Sequence, residues 1–152
     1  MSKPRAGLAD YLVEEGILSA ADLDKVDRFR KDTGVRLYPA VRRATSIHAE
    51  VFLKAVSNYH DIPLVNQDQW PSHSEVFNGI TIAYLRENNV FPLELTADGM
   101  LLAMEDPSDL QTIRALSLAL KHPIIPRVAS AEDIQSAIER ASRERDEPGV
   151  LL

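Results

Sequence analysis

The sequence has no cysteine among its 152 residues, which removes disulfide bridges, thiolate metal sites and cysteine nucleophiles together. It has no apolar run long enough to cross a bilayer, and Met1-Ser2-Lys3-Pro4 is not followed by the apolar core of a signal peptide. Both absences point to a cytoplasmic protein. No glycine-rich loop ending in Lys-Ser or Lys-Thr occurs, so the P-loop route to ATP hydrolysis is closed to this chain. No nucleophile elbow accompanies its serines and histidines. His48, His60, His73 and His122 lack the close spacing of zinc ligands, so all four are read as structural or exposed. No catalytic residue, metal or cofactor is therefore expected. Positive charge is also short: 17 Lys and Arg against 23 Asp and Glu leave a net charge of -6. General nucleic-acid binding is excluded on that ground, because sequence-independent attraction to phosphates needs a cationic surplus. Such a surplus exists only between Lys25 and Arg43, where Lys25, Arg28, Arg30, Lys31, Arg36, Arg42 and Arg43 face only Asp27 and Asp32. A charge run of this kind is first a solvated face, and second a contact for an acidic partner or for anionic headgroups.

What is present suffices for one domain or two small subdomains, with 45% hydrophobic and 26% charged residues. The pattern is helical up to Tyr59. Leu8, Tyr11 and Leu12 repeat at helical spacing before Gly16, and Ser19 with Asp22 makes a capping-box pattern between Leu18 and Leu23. The second helix is expected over Ala20 to Lys31, with a stop at Gly34. Leu37 and Val41 mark a third, with Pro39 in its first turn, and Phe52, Ala55, Val56 and Tyr59 mark a fourth that opens between Ser46 and His48. Past Asp61 the punctuation changes. Ile62 to Val65 reads as extended, Val76 to Asn88 as one broken or two short helices, and Val90–Leu95 and Met100–Met104 as a hairpin around Thr96-Ala97-Asp98-Gly99. Pro92 removes a ladder donor, so the first strand belongs at an edge or carries a bulge. A helix from Ser108 bears Leu110, Ile113, Leu116 and Leu120, His122 to Val128 supplies another strand, and Ser130 with Asp133 caps a last helix whose stripe is Ile134, Ala137 and Ile138. Glu105, Asp106 and Asp109 are read as the end of a strand and the start of a helix rather than as a metal or acid–base site. Trp70, beside Pro71 in the polar stretch Asn66 to Ser74, is read as a packed lid rather than an interface anchor.

The expected fold is α+β: a small helical subdomain over residues 1–60, then a small α/β sandwich over 61–143, a short sheet with helices on one side. Residues 144–152, with Pro148 and Gly149, read as the start of a linker, and the chain as a piece of something larger.

Leu12-Val13-Glu14-Glu15-Gly16-Ile17-Leu18-Ser19-Ala20-Ala21-Asp22-Leu23 resembles the opening of the N-terminal domain shared by type II secretion ATPases and type IV pilus assembly ATPases. Phe91-Pro92-Leu93, Gly99 to Pro107, the helix from Leu110 and Val128-Ala129-Ser130 follow that family's order, and the resemblance runs from about Gly7 to Ala141. It implies a non-catalytic domain ahead of an ATPase core in a hexameric parent. That domain docks on the cytoplasmic part of a membrane-anchored secretion platform protein and is thereby peripheral to the inner membrane. A related domain precedes some glycosyltransferases. Leu8, Tyr11, Leu12, Arg28 and Arg30 are the expected docking residues, and the first helix is expected to be loosely held, because a unit this small is not expected to bury all three apolar side chains. The resemblance also implies a second reading, a cyclic di-GMP sensor, since the family's helical half can carry two tandem motifs that run Arg-Leu-Gly, then a Leu, then a Gly, and close on Gln. The first copy keeps Leu8, Leu12, Gly16 and Leu23, but has Gly7, Ala9, Asp27 and Arg30 at its opening Arg, first Gly, an apolar position and closing Gln. The second keeps Arg36 and Leu37, with Tyr38 and Thr45 at both glycines and Tyr59 at the Gln. The candidate ligand residues are Arg36, Leu37, Leu8 and Leu12. Added side chains at glycine positions occupy the space that a close-lying purine needs.

Overall fold

Ser19 shows how the sequence sets the local structure. Its hydroxyl accepts from the Asp22 backbone N–H at 3.1 Å while the Asp22 carboxylate accepts from the Ser19 N–H at 3.1 Å, so the two residues close a capping box. The computed structural model describes residues 7–71 and 80–150, with the side chains of the last helix described as far as Glu144. Two compact units, Met1–Asp61 and Ile62–Leu152, make up the chain.

The first unit is helical: α1 Leu8–Glu14, α2 Ala20–Thr33, α3 Leu37–Ala44 and α4 Ala49–His60. Gly16 and Gly34 take the left-handed conformation at φ 75° and 74°, which reverses the chain after α1 and α2. Pro39 lies in the first turn of α3, where no intrahelical donor is lost. Each helix turns an apolar stripe inward, with Leu8, Tyr11 and Leu12 from α1, Val26 from α2, Tyr38 and Val41 from α3, and Phe52 and Val56 from α4. Here one expectation is corrected. Leu8, Tyr11 and Leu12 are 2%, 6% and 0% exposed, so the unit does bury all three. Aromatic rings make this possible, since the Tyr11 ring reaches Tyr59 of α4 at 5.3 Å between centroids.

The second unit begins with Leu64 bridging to Val128 and a short 3-10 turn at Gln67–Gln69. It continues with α5 Ile82–Asn88, β1 Val90–Thr96, β2 Gly99–Met104, α6 Leu110–Leu120, β3 Ile124–Val128 and α7 Ala131–Val150. The sheet order is β1-β2-β3, antiparallel between β1 and β2 and parallel between β2 and β3. Pro92 meets both conditions set for it: β1 is an edge strand, and its register slips between Pro92 and Glu94 so that Leu93 is the extra residue. Thr96 pairs with Gly99 across the two-residue turn Ala97-Asp98. Gly99 sits at φ 147°, and a Cβ there would lie 2.5 Å from the Pro123 carbonyl oxygen, so only glycine fits where β2 meets the chain entering β3.

All six residues of β2 are buried. Successive strand residues face opposite sides, so both faces of the central strand are covered, further than a one-sided arrangement requires. α7 packs on β1 and β2, α5 on β1 and α7, and α6 on β3. Of the expected α6 stripe, Leu116 is buried and Ile113 and Leu120 pack against the same core, while Leu110 falls outside it and Thr112 takes its place. Leu116 is 1% exposed and Thr112 5%, whereas Leu110 is 55% exposed. At about 100° per residue, Thr112 lies roughly 40° from Leu116 around the helix and Leu110 roughly 120° away. The last helix is longer than expected, because its backbone stays helical to Val150 through the stretch read as a linker. Arg and Glu are good helix formers, and the backbone continues helical through Pro148 and Gly149. Residues 76–79 of the helix expected from Val76, and the end of the Trp70 stretch with His73 and Ser74, lie outside the described residues.

Candidate ligand and docking positions in the helical unit

The two expected ligand motifs fall on two helix pairs. Leu8, Gly16 and Arg30 of α1 and α2 correspond to Leu37, Thr45 and Tyr59 of α3 and α4. The second copy's substituted positions are not vacant. Tyr38, at a motif glycine, is 4% exposed, meets the Phe52 ring edge-on at 6.1 Å and hydrogen-bonds through its hydroxyl to His60 Nε2. Tyr59, at a motif Gln, meets the Tyr11 ring at a 47° tilt and stands edge-on to the His60 ring at 4.9 Å. Thr45, at the other glycine, donates to the Val41 carbonyl at 2.7 Å and accepts from the Ile47 N–H at 3.3 Å, closing the turn between α3 and α4. Side chains thus serve as core and turn where the motif keeps open space.

The four ligand candidates do not converge on an open site. Leu8 and Leu12 are in the core, Leu37 is half-buried, and Arg36 is exposed at the N-cap of α3. A groove of about 400 Å³ does open between the two copies, lined by Gly16–Leu18, Thr45–His48, Asp22 and Val51. Its volume is that of a small-molecule site. Its chemistry does not suit a phosphodiester, because no Lys or Arg lines it and Asp22 does. The Ser19 backbone N–H above all holds the Asp22 carboxyl below its ordinary pKa of 3.8; desolvation opposes it, and the Ser19 hydroxyl and Lys25 add lesser lowering effects. That wall of the groove is therefore anionic at neutral pH.

A second groove, about 500 Å³, is lined by Asp27, Arg30, Lys31, Gly34 and Val35 in the basic stretch. Arg30 Nε donates to the Val35 carbonyl at 3.3 Å, tying the end of α2 to the chain that follows Gly34. Arg28 and Arg30 are exposed, unlike the other docking candidates Leu8, Tyr11 and Leu12. The burial of those three removes the ground for a loosely held first helix.

In the sheet unit, Asp106 and Asp109 do what their sequence context implies. Asp106 Oδ1 accepts from the Ser108 N–H at 3.0 Å, and Asp109 caps α6 by accepting from the Thr112 N–H at 3.2 Å and its hydroxyl at 2.6 Å. Asn89 Nδ2 donates to Glu105 Oε1 at 3.4 Å, and Gln135 Nε2 donates to Asn89 Oδ1 at 2.9 Å. This polar knot was not legible in the sequence, because it joins the residues just after β2 and α5 to one on α7, which no local pattern connects. Burial pushes the nearby Tyr84 hydroxyl pKa up. Among the described residues, no group of three or more His, Asp or Glu side chains can hold a metal, and no helix is long and apolar enough to cross a membrane. Trp70 is half-buried with its ring 6.0 Å from that of Phe91, a packed position as expected.

Comparison with known proteins supports the resemblance. The type IV pilus assembly ATPase PilB of Myxococcus xanthus is 23% identical over 138 residues, which are 91% of this chain and 24% of PilB. The chain thus spans about a quarter of that relative. The N-terminal domain of XpsE shares the fold at a TM-score of 0.76 and 24% identity, over 93% of this chain and 99% of that domain. A structure of MshE with cyclic di-GMP matches at a TM-score of 0.70 and 23% identity, over 90% and 99% of the two chains. Residues 60–148, nearly the whole sheet unit, match the MshEN domain, and the chain belongs to the MshEN domain family.

Proposed function

We propose that this chain is the non-catalytic N-terminal regulatory and docking domain of a type II secretion or type IV pilus ATPase, and that it binds the cytoplasmic part of a membrane-anchored platform protein. The observation that carries the reading is the fold shared with the XpsE N-terminal domain over 99% of that domain. The match to PilB over 91% of this chain supports it. Without a P-loop in the sequence, ATP hydrolysis belongs to another part of a hexameric, cytoplasmic parent, with the stretch from Glu144 leading toward it. The platform partner then holds that parent at the inner membrane. We assign Arg28 and Arg30 to the docking surface, where exposed charge sets orientation and association rate more than affinity. The tagged chain is expected to retain the purified cytoplasmic segment of its platform protein. A parent ATPase that lacks residues 1–150 and still joins the platform overturns the proposal.

The likeness to MshE with cyclic di-GMP favours a second reading, a sensor of that dinucleotide. The rings and hydroxyl that occupy the motif positions, and the anionic wall of the groove, weigh against it. Calorimetry with cyclic di-GMP is expected to give no binding heat, and micromolar affinity reverses the ranking.

A further inference from the structure

The groove of about 400 Å³ in the helical unit excludes a phosphodiester, and the same features select a ligand of the opposite charge. Part of its lining is apolar. Ile17 and Ile47 are half-buried and Val51 is 43% exposed, so with Leu18 they present apolar surface to water in a concave site. Aliphatic groups of a guest gain free energy by covering such surface. The charge around the groove has one sign. Its nine lining residues fall in two stretches, 16–22 and 45–51. Residues 10–24 carry Asp10, Glu14, Glu15, Asp22 and Asp24 and no Lys or Arg, and residues 44–53 carry Glu50 and no Lys or Arg. Glu14 and Glu15 lead into Gly16, Glu50 precedes Val51, and all three are exposed.

This negative ground comes from placement, since residues 1–61 as a whole carry ten Lys and Arg against nine Asp and Glu. A cleft lined by one sign of charge concentrates the other. Asp22 is the carboxylate on the wall itself. Its Oδ2 accepts from the Ser19 N–H, while its Oδ1 has Lys25 Nζ at 3.9 Å, too far for a hydrogen bond. The Lys25 side chain is 61% exposed and lies outside the lining, so this pair is loose and a cation seated in the groove replaces it at little cost.

We propose that this groove binds a basic, apolar segment of a partner protein, with a Lys or Arg side chain reaching Asp22 Oδ1 while a neighbouring aliphatic side chain packs on Ile17, Ile47 and Val51. The apolar lining decides between this guest and a free polyamine, which has no aliphatic branch to cover it. Glu14, Glu15 and Glu50 lie beside the lining residues in the chain and extend the negative ground to further positive residues of the same segment. The surface is separate from Arg28 and Arg30, whose charge calls for acid rather than base, and it does not rest on which partner those two residues meet.

The test is a titration of the isotope-labelled chain with the synthetic peptide acetyl-Leu-Arg-Leu-Arg-amide, followed by amide chemical shifts. Saturable shifts are expected at Gly16–Leu18, Thr45–His48 and Val51, and acetyl-Leu-Glu-Leu-Glu-amide is expected to leave those amides in place. Val51→Lys sets a cation into the groove at an exposed position that the fold tolerates, and is expected to weaken peptide binding several-fold. Asp22→Asn keeps an oxygen acceptor for the Ser19 N–H and removes the charge, and is expected to weaken it several-fold as well. No saturable shift, equal shifts with the acidic peptide, or unchanged affinity in both variants overturns the proposal. Spermidine that moves the same amides at the same or lower concentration also overturns it, because the groove is then a site for free amines.

Discussion

The helical unit and the sheet unit reach a packed core by different means. In the helical unit α1 to α4 are 7 to 14 residues long, and α1 and α3 meet α4 through the rings of Tyr11, Tyr38, Phe52 and Tyr59. A short helix offers few inward positions, and a ring spans more of the gap from each of them. In the sheet unit the central strand is buried along its whole length, and mainly aliphatic side chains such as Leu102, Leu116, Ile134 and Ile138 fill the interior. The charge differs as well: residues 1–61 carry ten Lys and Arg against nine Asp and Glu, whereas the sheet unit is strongly acidic. The difference teaches that short helices close a core through rings: Tyr38 is buried against Phe52, and the half-buried Tyr59 meets Tyr11.

The sharpest way to break this comparison is to remove a ring. Phe52 is 0% exposed and receives the edge of Tyr38, so Phe52→Ala is expected to destabilise the helical unit by about 4 kcal/mol, read by denaturant titration. A loss under about 1 kcal/mol would show that the rings are not what closes the unit. On the other side of the comparison, Leu116→Ala is expected to cost about 3 kcal/mol, since the stripe of α6 faces the sheet through that side chain. An unchanged unfolding midpoint would leave the aliphatic core without its α6 anchor.

Smaller effects test the local devices. Ser19→Ala removes one half of the capping box and is expected to cost about 1 kcal/mol, visible as loss of amide protection in the first turn of α2. The other half gives a pH signature. The folded pKa of Asp22 lies below 3.8, so its contribution is fully present above that value and fades as the pH falls through the lower folded pKa. The stability difference between the native chain and Asp22→Asn should follow that course in an acid titration, and a difference that grows toward low pH would contradict the box. Smallest of all, Leu118→Ser is expected to change stability by no more than about 0.5 kcal/mol, because the side chain is 80% exposed. A clear stabilisation or loss in the unfolding midpoint would place Leu118 in the fold rather than at the surface.

The elements themselves were legible because their signals are local. The box at Ser19 and Asp22, the stops at Gly16 and Gly34, the edge position and bulge at Pro92, and the turn before Gly99 each depend on neighbours in the chain. The candidate site was less legible. Leu8, Tyr11 and Leu12 have the composition of a contact surface, and only the meeting of α1 with α4 shows them as core. A Tyr at residue 38 or 59 is compatible with a pocket wall or with core, and the distinction lies in what stands opposite.

By itself the sequence determined that the chain is α+β, that it changes character near His60, and that it carries no P-loop and no thiol chemistry. These properties follow from composition and from periodicities a few residues long. Only the tertiary structure decided which apolar faces are spent inside and which remain outside. Leu110 and Leu116 lie on the same helix and differ by an angle around its axis, and that angle acquires meaning only when β3 packs against one side. Burial is a property of what a side chain faces, and what it faces comes from residues far away in the chain.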